Sequence, residues 1–300
     1  MSKTSVTYVG GGTDILPLLK YGVRDDEDLI FVKDLGVSAA IEEAGEEISI
    51  GAAATLWDVS QSGLIRRELP ALAQAAGETA SPQIRNIATI GGNVMQDRRC
   101  LYFNQPLHWR SGLPLCFKTG GEICHQIPTS PVCRAIYYSD VATALLAYDA
   151  QVEYEEAGEP KRTSAAELVA RHTAQNGLPC GEHLPILVRR FLLKRRPAGE
   201  RSGFYKYAMR ATIDFPLINF ALRCGPEGTK LIAGAVSTQP VELTETAELI
   251  CSGASDEAVV ACCEQELKRL SKPIKEALIS PAYKRDLYRH IAFLLPLRQK

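Results

Sequence analysis

The chain has 300 residues, 46% of them hydrophobic, which is enough to bury a substantial core as two domains or as one large domain with an insert. Its 34 basic and 35 acidic residues leave a formal charge of −1, so there is no sequence-wide field to attract nucleic acid or an acidic membrane surface. The first residues show no basic segment followed by an apolar run, and no stretch reaches the roughly 18 apolar residues of a membrane span. The expectation is a cytoplasmic protein whose nine cysteines mostly stay reduced.

Ser5-Val6-Thr7-Tyr8-Val9 alternates and is β-branched, and residues 14–21 place Ile15, Leu18 and Leu19 on one helical face. Strand, glycine turn and helix follow from that. Short strands are expected at 29–32 and 47–50, and helices at 55–62 and 71–78, with Thr55 and Pro70 at their starts. Between residues 98 and 138 neither the strand nor the helix period survives, and glycines, prolines, cysteines and scattered aromatics mark an irregular insert. Helix resumes at 141–148 and a strand at 151–155, and Gly158-Glu159-Pro160 makes a turn. A first domain is expected over 1–160, a polar bridging region over 161–200 and a second domain over 201–300. In the last, strands at 204–208, 215–223 and 230–237 precede helices at 244–252, 256–270 and 281–294, the order of an α+β domain.

Gly10-Gly11-Gly12-Thr13-Asp14 is a glycine turn between strand and helix, where free backbone N–H groups and a helix N-terminus suit a phosphate. It is not a Rossmann fingerprint, because Ile15 stands where the third glycine belongs, and it lacks the Gly-Lys-Ser/Thr ending of a P-loop. By itself it reads equally well as a plain chain reversal. Thr89-Ile90-Gly91-Gly92-Asn93 adds a second close-approach backbone with a hydroxyl and an amide, and the pair makes a diphosphate site a sharper expectation.

Cys100, Cys116, Cys124 and Cys133 fall within the insert, whereas Cys180, Cys224, Cys251, Cys262 and Cys263 are dispersed. Four thiolates close a tetrahedral zinc site or ligate an iron-sulfur cube, but separations of 16, 8 and 9 residues match neither short zinc pairs nor the tight ferredoxin run. Four buried thiols without a metal are the plain alternative. Arg98, Arg99, Arg110, Lys118 and Arg134 face a single acid, Glu122, within the segment, and such surroundings are expected to lower thiol pKa values. His108 and His125 read as solvent-facing or supporting residues and Trp109, Tyr137 and Tyr138 as packing. Adjacent in a helix, Cys262 and Cys263 should point apart, with one in the core.

Ala80-Ser81-Pro82-Gln83-Ile84-Arg85-Asn86, the second glycine loop, Ser139-Asp140, Tyr205-Lys206-Tyr207, Asp214-Phe215-Pro216-Leu217 and Tyr283-Lys284-Arg285 together resemble the flavoprotein subunit of the molybdenum hydroxylase and xanthine dehydrogenase family. The resemblance covers nearly the whole chain. It implies an α+β fold: a two-subdomain FAD-binding domain of the PCMH (vanillyl-alcohol-oxidase-like) type, then a C-terminal domain of the carbon monoxide dehydrogenase flavoprotein type. In that family the Ser-Asp pair follows soon after the second glycine loop, but here Asn93 and Asp140 are 47 apart. This insert, with Arg99-Cys100-Leu101-Tyr102-Phe103-Asn104-Gln105, resembles that of the 4-hydroxybenzoyl-CoA reductase β-subunit branch, which implies a 4Fe-4S cluster on Cys100, Cys116, Cys124 and Cys133.

The implied FAD-binding residues are Val9, Gly10, Gly11, Gly12, Thr13, Asp14, Thr89, Gly91, Gly92, Asn93, Asp140 and Lys206, and no residue of this chain acts as acid, base or nucleophile on substrate. The implied partners are a molybdenum-cofactor large subunit and a 2Fe-2S small subunit, in a dimer of heterotrimers, with a ferredoxin-like electron donor. Two alternatives stay open: an oxidising hydroxylase passing electrons to NAD or another acceptor, and a non-catalytic assembly protein with a structural zinc. Residues 183–194, with Arg189 and Arg190, depart from the apolar strand the family has there.

Overall fold

The computed structural model describes residues 6–298 apart from 27, 180, 181, 184, 211, 212 and 277. Ser5 and Cys180 therefore lie outside the described residues. The chain opens with β1 (Val6–Val9), α1 (Ile15–Lys20), which buries Ile15 and Leu18, and β2 (Asp28–Phe31), paired in parallel with β1. A hairpin of β3 (Ile41–Ala44) and β4 (Glu47–Gly51) leads into α2 (Leu56–Gln61), where the Thr55 hydroxyl accepts from Asp58 N at 3.0 Å in a capping box. Ser62 caps α3 (Gly63–Glu68), and Pro70, whose missing N–H costs nothing at a first turn, opens α4 (Pro70–Glu78). Two short helices follow, α5 (Pro82–Arg85) and α6 (Ile90–Val94), capped by the Ser81 and Thr89 hydroxyls. Within the insert lies α7 (Leu107–Arg110). Beyond it come α8 (Asp140–Ala147), β5 (Gln151–Glu156), β6 (Glu159–Ser164), α9 (Ala165–Gln175) and β7 (Ile186–Lys194).

The segment expected to bridge two domains is instead part of the first. The five-stranded antiparallel sheet has the order β3-β4-β7-β5-β6, so β7 is its centre, with Phe191 opposite Ile50 on one side and Val152 on the other. Arg189 and Arg190 break the apolar run in the sequence, but in the sheet they pair with Glu155 and Glu153 at 2.7 Å each, leaving residues 186–188 and 191–193 buried. The first domain thus extends past residue 160, through β7.

The remainder is a four-stranded antiparallel sheet, ordered β11-β10-β9-β8, of β8 (Arg201–Tyr207), β9 (Ile218–Gly225), β10 (Gly228–Gly234) and β11 (Val241–Glu242). On it pack α10 (Thr244–Cys251), α11 (Asp256–Leu270), α12 (Pro281–Asp286) and a 3₁₀ helix, Leu287–Arg298. The single α-helix expected at 281–294 is therefore split, its second half wound more tightly, with Pro296 inside. Cys263 is buried and Cys262 half-buried, as adjacent helix positions require. Phe204, Ala221 and Ile232 of this sheet join the core around α4 and α8, so the two halves share a helical layer. No helix among the described residues is long and apolar enough to cross a membrane.

Candidate functional site

The two glycine loops line one cleft of about 290 Å³. They reach each other because Gly10 and Gly11 present no side chain at the contact. A Cβ at Gly10 would overlap the Thr89 hydroxyl, and one at Gly11 would overlap the Ile87 carbonyl. Gly12 turns the chain into α1 with φ +72°, a conformation that strains any side chain. Among the described residues nothing accepts from the N–H groups of Gly11, Gly12 or Thr13, so three donors face a cleft rimmed by Arg24 and Arg99. That is the donor set a diphosphate needs.

Of the expected FAD residues, Val9, Gly10, Gly11, Gly12, Thr13, Asp14, Thr89, Gly92 and Asn93 line the cleft. Thr89 is also structural: its hydroxyl caps α6 by accepting from Gly92 N at 3.1 Å. The Asn93 side-chain oxygen accepts from Ser139 Oγ at 2.6 Å, leaving its amide N–H groups for the cleft. Asp14 turns to the start of the insert, accepting from Asp97 N at 3.2 Å and from the Arg99 guanidinium. Three expected residues do not line it. Gly91 donates to the Ala52 carbonyl at 3.0 Å and lies against Ala52, so it is a packing glycine. Asp140 and Lys206 are buried and paired at 2.9 Å, and Asn219 Nδ2 donates to Asp140 at 2.6 Å. Burial raises the Asp140 pKa despite that lysine, and the cluster ties α8 to β8 and β9. Lining residues outside the expected FAD set include Ala80, Asp97, Arg99 and Phe215, whose ring lies 5.0 Å from the Arg99 guanidinium. The strand expected from residue 215 begins only at Ile218, which leaves Phe215 on the irregular segment before β9 and its ring free to reach the cleft.

The insert leaves and returns through a closed neck. Arg99 and Ile136 exchange backbone hydrogen bonds at 2.9 Å each, and Ser139 bonds Asn93 across a sequence separation of 46, so the two ends of the insert meet. Within it Cys100, Cys116, Cys124 and Cys133 all line a single cavity, together with Phe103, Lys118 and His125. The cavity measures about 20 Å³, the room of about one water. Three of the sulfurs accept hydrogen bonds: Cys100 from Phe103 N at 3.2 Å, Cys133 from Ala135 N at 3.5 Å and Cys116 from Thr119 Oγ1 at 3.7 Å. No three of the four approach within 4.8 Å of one another, whereas one tetrahedral zinc at ~2.3 Å would hold all of them about 3.8 Å apart.

The basic residues of the insert do different work from that expected. Arg98 is buried and binds the carbonyls of Cys133 and Ala135 at 3.3 and 3.1 Å; Arg110 binds those of Gly22 and Val23 at 2.6 and 3.2 Å. Arg134 donates to Ser130 Oγ at 2.6 Å and Lys118 to Asp97 at 2.6 Å. Arg98, Arg110 and Lys118 replace a missing backbone ladder by satisfying carbonyls. Burial consequently dominates at Cys100, whose thiol is pushed up to about 11 instead of down. At Asp97 burial alone would raise the pKa, but Lys118 and Arg24 outweigh it and hold the carboxyl below its usual value. His108 is exposed, His125 stacks on Tyr102 at 5.2 Å, Trp109 is 44% exposed, and Tyr137 and Tyr138 are buried packing.

Residues 1–182 match the family described as the FAD binding domain in molybdopterin dehydrogenase. The chain is 30% identical over 260 residues to the aldehyde oxidoreductase FAD-binding subunit PaoB of Escherichia coli K12, covering 82% of this chain and 80% of that protein. It is 27% identical over 217 residues to the xanthine dehydrogenase FAD-binding subunit of Escherichia coli O157:H7, covering 72% of this chain and 60% of that one. Its fold is similar to a chain of carbon monoxide dehydrogenase from Hydrogenophaga pseudoflava, with a TM-score of 0.72 at 18% identity over 96% of this chain and 87% of that chain.

Proposed function

The chain belongs to the family of FAD-binding domains of molybdopterin dehydrogenases, and from that premise we propose that this oxidoreductase subunit holds FAD in the glycine cleft and a 4Fe-4S cluster on Cys100, Cys116, Cys124 and Cys133. The observation that carries the reading is the convergence of all four thiols on one cavity, next to a cleft lined by paired glycine loops. Residues 97–100 join the two, with Asp97 and Arg99 in the cleft wall and Cys100 in the cavity wall. When bound, flavin exchanges two-electron for one-electron steps and an iron-sulfur cluster carries single electrons.

The chain's own residues supply position and charge. Gly11, Gly12 and Thr13 offer N–H donors to a diphosphate, Arg99 adds positive charge, and the packed loops exclude side chains from its approach. Hydrogen bonds to sulfur of the kind made by Phe103 N and Ala135 N favour the charged thiolate form of a ligand. The cavity has the room of about one water, so a multi-iron group requires the cysteine side chains to swing outward, which a loop without a regular ladder permits. The dispersion of the thiols speaks against a preformed zinc site.

In this reading the subunit relays electrons between a ferredoxin-like donor and a molybdenum subunit, by way of a 2Fe-2S small subunit, in a dimer of heterotrimers. The complex would reduce 4-hydroxybenzoyl-CoA or a related aromatic thioester. A second reading, an oxidising complex that passes electrons outward to NAD or another acceptor, is favoured by the names of the aldehyde and xanthine relatives. Purification with metal and flavin analysis tests the first: a flavin spectrum with about four irons per chain supports it, and one zinc without iron rejects it. Whether reduced ferredoxin or substrate reduces the flavin then separates the two directions.

A further inference from the structure

Between the cleft and the cysteine cavity stands a fully buried ion pair. Lys118 lines the cavity, and its ammonium donates to Asp97 Oδ1 at 2.6 Å and to the Arg98 carbonyl at 2.8 Å. The same nitrogen sits 4.1 Å from the centre of the Phe103 ring, and the two side chains are 0% and 2% exposed. Asp97 belongs to the wall of the cleft, and its second oxygen, Oδ2, is buried with no hydrogen-bond partner among the described residues. The pair therefore presents its positive end to the thiols and its negative end to the cleft, whose wall also carries Arg24 and Arg99.

We infer that this pair sets the reduction potentials of the two groups, Lys118 raising that of the group held by the thiols and Asp97 lowering that of the flavin; the inference rests on the FAD and cluster reading above. Reduction adds an electron to either group. A buried ammonium behind the thiols stabilises the added negative charge, a carboxylate in the cleft wall opposes it, and the burial of both side chains leaves either charge weakly screened. Lys118 and Asp97 are positioning residues here, since they act through charge and not on substrate. A merely structural ion pair would move the stability of the loop and leave both potentials unchanged.

Redox titration of the purified complex, followed optically for the flavin and by paramagnetic resonance for the cluster, tests this with Asp97→Asn and the double variant Asp97→Asn with Lys118→Met. Measuring Lys118 in the Asp97→Asn background avoids leaving a buried carboxylate alone, which would destabilise the loop. Asp97→Asn is expected to raise both potentials, the flavin's more. Adding Lys118→Met should then lower the cluster potential, and Lys118→Arg in the native background should keep it near the native value. Both variants showing native potentials with iron and flavin bound would overturn the inference. A native complex without iron defeats the cluster reading itself, an outcome seen in the metal analysis before any variant is made.

Discussion

In the glycine cleft bare backbone fits against the opposite loop: Gly10 lies against the Thr89 hydroxyl and Gly11 against the Ile87 carbonyl. In the cysteine cavity side chains span an irregular loop, with Arg98 and Arg110 binding carbonyls and Lys118 closing on Asp97. Residues 97–100 belong to both sites, yet the first is specified by the absence of atoms and the second by their chemistry. The first should tolerate no added Cβ, whereas the second should keep its shape and lose its function when a single sulfur becomes oxygen.

Gly11→Val presses hardest on this contrast. Its Cβ would meet a carbonyl that cannot move without shifting the second loop, so flavin content should fall by at least tenfold while iron content is retained. Full flavin occupancy in that variant would break the account of the cleft. Cys124→Ser is the reciprocal test: iron content should collapse with flavin still bound, because Cys124 lines the cavity and not the cleft. Unchanged iron would remove Cys124 from the ligand set.

Smaller effects sharpen the boundary of the cleft. Lys206→Met leaves the Asp140 carboxylate buried without its ammonium and should cost about 3 kcal/mol in denaturant unfolding, with flavin bound normally under native conditions. Loss of flavin at unchanged stability would instead return Lys206 to the flavin site. The smallest effect concerns Glu78, whose backbone carbonyl also accepts from Lys206. Glu78 is exposed as a residue, but desolvation of its carboxyl and then the Asp140 carboxylate push it up from 4.5 to about 7, partly offset by Lys206. The folded state thus holds this proton more tightly than the unfolded chain does. Its stabilising share is fully present below about pH 4.5 and is lost as pH rises through 7. Glu78→Gln should flatten that decline in thermal melts between pH 5 and 8, and an unaltered slope would assign it to other groups.

Sequence alone identified the two glycine loops, the grouped cysteines, the α+β order and most helices, because each rests on local composition or on a short period. Only the tertiary structure revealed that β7 is the centre of the first sheet, since Arg189 and Arg190 hide an apolar strand until Glu155 and Glu153 neutralise them from β5. It also decided which expected residues leave the cleft: Gly91 packs on Ala52, and Lys206 turns to Asp140. The Asp97 and Lys118 pair, 21 residues apart in a segment with no period, has no sequence signature at all. Charge pairing and backbone packing between distant segments depend on which surfaces meet, and a one-dimensional pattern does not carry that information.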